Sequence, residues 1–152
     1  MPSGQAPLPA PYREHSPPPA LQPHFQCLWS STVAPDYAGG FLVVPDGCVD
    51  IVCKGGQLLA VGPDRVAARP TLVPGSEVWG ARFGPGAASA WLGLPMDEIV
   101  GQAVELGDLL GPRAREWVQR INDAQPGAGQ AVFIHGLVQM GRDAPAPDRQ
   151  AM

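Results

Sequence analysis

Asp46, Cys48, Asp50 and Cys53 fall within eight positions of one short stretch, VVPDGCVDIVCKGG, Val43 to Gly56. Two carboxylates and two thiols this close could hold a metal ion. They could also pair a reactive thiol with an acid, or only form a turn feeding a buried strand. Pro45-Asp46-Gly47 has turn chemistry: proline presets φ, the Asp side chain can bond its own backbone, and glycine takes the positive-φ position. Beyond the turn, a strand with period two puts Cys48, Asp50 and Val52 on one face and Val49, Ile51 and Cys53 on the other. The two thiols then point apart, and their spacing is not that of a Cys-x2-Cys knuckle. A metal site would need Cys27 and a histidine as further ligands. His15, His24 and His135 are isolated from one another, with no HxH pair on any strand-like run. No metal site and no cofactor are therefore assigned. Cys48 as a reactive thiol lacks a lysine or histidine near it in sequence to lower its pKa.

Asp50 is the informative residue. A carboxylate inside an apolar strand must find a partner, because an unpaired buried charge is costly. The nearest fit is Arg82 in GARFGPG, at the end of a later β-like run, through a two-point guanidinium–carboxylate pair. Such a pair, or backbone amides bonded to Asp50, pins strand to strand. Alternatively, both groups face a cavity and read a polar ligand. A catalytic role lacks a second carboxylate or base beside Asp50, so no catalytic residue is assigned. The four tryptophans, Trp29, Trp79, Trp91 and Trp117, read first as core; the alternative makes Trp29 and Trp79 the wall of a mostly apolar ligand pocket in the β part. The candidate ligand set is therefore Trp29, Cys48, Asp50, Trp79 and Arg82.

Composition removes several classes. The chain has 152 residues and a net charge of −4, with nine arginines and one lysine. Duplex-binding domains usually carry a basic face to displace counterions, and none is apparent here. There is no GK[ST] loop, no GxGxxG and no GxSxG elbow. No run approaches the roughly 18 apolar residues of a membrane span. The start, MPSGQAPLPAPYREH, lacks a basic segment followed by an apolar one. With three cysteines and no secretory leader, the expectation is a cytoplasmic protein with reduced thiols.

These side chains must be positioned by short elements. Glycine and proline number 19 each, and eight of the prolines lie at or before Pro23. Residues 1–23 read as a proline-rich arm, loose or packed on the core through Tyr12 and Leu21. Residues 24–86 read as β: FQCLWSSTV, GFLVV, VDIVC, QLLAV and EVWGARF, each bounded by turn residues. In the first run, alternation sets Phe25, Cys27 and Trp29 against Gln26, Leu28 and Ser30. Lys54-Gly55-Gly56 suits a tight hairpin. Residues 87–141 read as helical, with Ala114, Trp117, Val118 and Ile121 on one stripe and Val132, Phe133, Leu137 and Met140 on another. That layer either packs on the β part or forms a dimer interface. Residues 142–152 read as a flexible tail. The expected class is α+β: an antiparallel barrel or sandwich followed by short C-terminal helices.

VVPDGCVDIV, VGP, WGARFGPGAASAWLG and VELGDLLG occur in that order, behind a proline-rich lead-in and a tryptophan on the first strand. This combination resembles a sensor-like N-terminal domain family of AraC-type transcriptional regulators. The resemblance spans roughly Pro11 to Asn122. Its signature falls on Pro45, Asp46, Gly47, Asp50, Arg82, Phe83, Pro85 and Gly86. It implies a cupin-like β domain, an undefined small-molecule effector, helices serving homodimerisation, and a separate helix-turn-helix half that contacts DNA. Twelve residues follow Met140, too few for that half. DNA contact is therefore expected only through a domain absent from this chain, which is free-standing or part of something longer. The rival expectations are a cupin-like metal-dependent enzyme and a ligand-free dimerisation module.

Overall fold

The computed structural model describes residues 12–32, 48–62, 76–98 and 103–144. They form an antiparallel sheet followed mainly by helices, the α+β arrangement expected. The strands are β1 (Tyr12–His15), β2 (Phe25–Thr32), β3 (Asp50–Lys54), β4 (Gln57–Val61), β5 (Glu77–Phe83) and β6 (Ala103–Glu105). Their order in the sheet is β1-β2-β5-β3-β4-β6. Among the described residues β1 and β6 each have one neighbour, so the sheet is open and not closed into a barrel. Two strands fall where none was expected. β1 lies in the proline-rich arm, just before Pro17, and β6 lies between helical turns. Leu21, on a 3-10 turn over Pro19–Leu21, is fully buried, so this part of the arm is packed.

The β3–β4 hairpin turns on Gly55 and Gly56, with φ of 53° and 80°. Positive φ at both central residues is what a two-residue turn matched to strand twist requires.

Register sorts the side chains into rows across the sheet. One row runs Leu28, Ala81, Ile51, Ala60, Val104. The next runs Trp29, Gly80, Val52, Leu59, Glu105, and a third Cys27, Arg82, Asp50, Val61, Ala103. The first row belongs to the face that shares its core with the helices, together with Cys53, Leu58 and Phe83. Trp29, Val52 and Val78, on the opposite face, are also buried. A register shift between Phe25 and Cys27 inserts Gln26 as an extra residue. It sets Phe25 opposite Phe83 and Cys27 opposite Arg82, so simple alternation along FQCLW breaks down: Phe25 joins the helix-facing core and Cys27 faces the other way.

The helices are α1 (Ala87–Leu92), α2 (Leu106–Leu110), α3 (Pro112–Asp123) and α4 (Gly129–Asp143). Pro112 sits in the first turn of α3, where its missing N–H costs nothing. α3 buries Ala114, Trp117 and Ile121; α4 buries Phe133, Gly136 and Leu137. Phe133 stacks on Trp117 at 5.8 Å and lies 6.3 Å from Trp79 of β5, tying both helices to the sheet. A Cβ at Gly136 would stand 2.0 Å from Trp117 Nε1, so glycine is what lets α3 and α4 approach. α4 continues past Gly141, and Arg113 of α3 pairs with Asp143 in its last turn. Residues 142 and 143 thus belong to the helix and not to a tail. Among the described residues, no helix is long and apolar enough to cross a membrane.

Candidate functional site

The third row carries the charged centre. β5 lies between β2 and β3, and its Arg82 sits opposite both Cys27 and Asp50. Asp50 has no exposed surface and Arg82 is 7% exposed. Arg82 Nε donates to Asp50 Oδ1 at 3.2 Å and its Nη2 to Oδ2 at 3.3 Å, the two-point pair expected. Glu14 of β1 adds a second carboxylate, 3.7 Å from Arg82 Nη1 and about half exposed. A third donor comes from further off. Trp29 Nε1 donates to Asp50 Oδ2 at 2.8 Å. Its indole crosses β5 to get there, lying flat over Gly80, where a Cβ would fall 2.0 Å from the ring. Glycine at 80 is therefore a condition of the hydrogen bond. Its signal in the sequence is a glycine inside a strand, which commonly marks a close approach.

Burial pushes the Asp50 carboxyl above its ordinary value, while Arg82 and then the Trp29 N–H pull it partly back. Cys27 and Cys48 are half-buried, and burial raises both thiols against the lowering field of Arg82. Cys53 points into the helix-facing core, where burial pushes it up to about 12. Cys27 and Asp50 flank the same residue of β5, so their backbones stand about 9.5 Å apart at ordinary strand spacing. Cys48 stands close enough to Cys27 to raise that thiol a little further, and both are free thiols. Among the described residues, no three His, Cys, Asp or Glu side chains are grouped to hold a metal ion.

One residue beyond Asp50 and Arg82, with Val49 and Phe83 of the helix-facing core in its wall, a cleft of about 250 Å³ opens between β3, β5 and α1. Its walls are Cys48, Val49, the Phe83–Gly86 turn, Ala88 and Ser89, with Gln26, the bulged residue of β2, at one side. Phe83 belongs to an aromatic cluster, 4.7 Å from Phe25 and 5.5 Å from Trp91. Gly86 adopts φ 75° and starts α1, so the Pro85-Gly86 turn shapes the rim.

The candidate residues therefore separate. Cys48 lines the cleft. Trp29, Asp50 and Arg82 form one buried cluster near it and are not among its lining residues. Trp79 does not share a pocket wall with Trp29. It pairs with Ser30, one residue out of phase, and so points to the helix-facing side against Phe133. Phe83, Pro85 and Gly86, expected as structural positions, line the cleft. Pro45, Asp46 and Gly47 lie outside the described residues. Sequence reasoning missed Gly80, Glu14, Gln26 and Ser89.

Residues 13–105 match the family described as Domain of unknown function (DUF6597), more than half of the chain. The chain belongs to this family. The DUF6597 match contains β1 from its second residue, β2 to β6, the Asp50–Arg82–Trp29 cluster and every residue named in the cleft wall. Helices α2 to α4 follow the matched segment and complete its core through Leu106, Trp117, Phe133 and Leu137. No curated protein and no solved structure matches the chain.

Proposed function

We propose that this chain is the effector-sensing and dimerisation half of an AraC-type transcriptional regulator, acting in the cytoplasm, with DNA contacted by a separate helix-turn-helix half. The observation that carries the reading is a buried, mutually paired charge cluster next to a cleft without charged walls among its described residues. An Asp50 carboxylate with no exposed surface cannot reach a substrate, so its work is to hold β2, β5 and β3 in register. The cleft, by contrast, is open and joins the sheet to α1. A compound seated there touches Val49 and Phe83 on one side and Ala88 and Ser89 on the other. It would favour whichever arrangement of sheet and helices fits it better, and only that difference in affinity can be transmitted. The net charge of −4 agrees with a partner domain doing the DNA binding. Half-buried Val132, Ile134, Val138 and Met140 on α4 supply apolar surface for self-association.

The test is light scattering of the purified chain with tryptophan fluorescence against a metabolite library. The expected result is a compound that changes both the emission and the dimer fraction. A constant dimer with no spectral response would favour a structural module instead. Turnover of a library compound, followed by NMR, would favour an enzyme.

A further inference from the structure

We infer that the cleft at Cys48 takes an uncharged single-ring compound carrying one hydrogen-bond donor, an aromatic alcohol or phenol in chemical class. The inference rests on the sensing reading and specifies the ligand for that same site. Size sets the first limit. An apolar cavity of about 150 Å³ holds benzene. The cleft, at about 250 Å³, has room for one ring and a short substituent, not for a nucleotide or a sugar chain. Wall chemistry sets the second. Val49, Phe83, Pro85 and Ala88 are apolar, and Phe83 is already part of a ring cluster with Phe25 and Trp91. The polar side chains are Gln26, Cys48 and Ser89, all neutral when the thiol keeps its proton, as burial favours. A charged ligand would lose water and gain no counter-charge among these residues, which is costly. Arg82 is near enough for its field to reach Cys48, but Asp50 pairs with it at 3.2 Å and offsets part of that field. Hydrogen-bond direction sets the third limit. Ser89 Oγ donates to the Leu94 carbonyl at 2.9 Å, so its remaining capacity is as an acceptor. A ligand hydroxyl can donate to it or to the Gln26 amide oxygen.

The test uses three compounds of one shape: benzyl alcohol, benzoate and benzylamine. Each is added to the purified chain while N-ethylmaleimide modifies Cys48, with the Cys27 rate as internal reference and peptide mass spectrometry as readout. A ligand of about eight non-hydrogen atoms binds in the millimolar range, so several dissociation constants' worth of benzyl alcohol should slow Cys48 about fivefold. Benzoate and benzylamine should leave it unchanged at the same concentration. Gln26→Trp, an exposed position whose larger side chain would fill the cleft mouth, should remove the protection without altering the fold seen by circular dichroism. Saturation-transfer NMR on each compound gives the same comparison without relying on the thiol. Equal or stronger protection by either charged compound overturns the ligand class while leaving a sensing site in place. A fluorescence response to benzyl alcohol with no Cys48 protection and no effect of Gln26→Trp overturns the location. Absence of binding by all three in both measurements overturns the inference, and the library screen then decides separately whether the chain senses anything else.

Discussion

Trp29 and Asp50 are joined by a 2.8 Å hydrogen bond although a whole strand lies between them. The indole spans that strand because position 80 has no side chain. Three neighbouring strands thus converge on one carboxylate: Trp29 from β2, Arg82 from β5, and Asp50 itself on β3.

Gly80→Ala should therefore act through Trp29. Its Cβ would lie 2.0 Å from the indole, which must move and release Asp50. Overpacking and a lost charge-assisted hydrogen bond together should cost about 3 kcal/mol. Trp29→Phe alone should cost about 2 kcal/mol, and in that background Gly80→Ala should cost clearly less. Urea unfolding of the four proteins measures this; equal costs in both backgrounds would mean that the glycine serves something else.

The pH dependence has a definite sign. Burial holds the Asp50 carboxyl above its ordinary 3.8. The folded state then binds that proton more tightly than the unfolded chain does. The corresponding stability is fully present below 3.8 and is lost as pH rises through the folded value. Asp50→Asn does not titrate there. The unfolding free energy of the wild type minus that of Asp50→Asn should fall across this acid window and then level off. A rise across the window would mean that Arg82 and Trp29 outweigh burial.

The three thiols should separate by reactivity. At pH 8 the Cys53 thiolate, with its pKa pushed up to about 12, is roughly one part in ten thousand. N-ethylmaleimide should modify half-buried Cys27 and Cys48 in the native protein and reach Cys53 only in denaturant. Labelling resolved by peptide mass spectrometry checks it. Native-state modification of Cys53 at a rate like that of Cys48 would contradict its placement in the core.

Phe133 tests whether the helices are integral to the matched domain. It is 1% exposed and stacks between Trp117 and Trp79. Phe133→Ala should cost about 3–5 kcal/mol in a single cooperative transition. A loss under about 1 kcal/mol would make α4 an appendage.

How much of this was legible depended on the range of the interaction. The Asp50–Arg82 pair was, because a lone acid in VDIVC and an arginine in GARF each need a partner, and short β runs offer few. The antiparallel sheet and late helices followed from turn residues and periodicity. The reach of Trp29 was not, since it depends on which strand lies between β2 and β3. The core reading of Trp79 holds, while its separation from Trp29 is not visible in the sequence because its facing follows from register with β2. The bulge at Gln26 shifted Phe25 out of alternation. β1 was hidden among prolines, and β6, three residues long, is held by pairing with β4 and not by its own pattern. The open sheet follows from strand order, which local patterns do not encode.

The most direct test of the central claim is a double-mutant cycle on Asp50 and Arg82, read by urea unfolding at neutral pH. Each single alanine variant strands a buried partner and should cost about 3–5 kcal/mol. The double variant strands neither, and should be more stable than the summed losses imply by about 2 kcal/mol or more. Losses that simply add would show that the two side chains do not support each other, and that the charge cluster is not what holds these strands together.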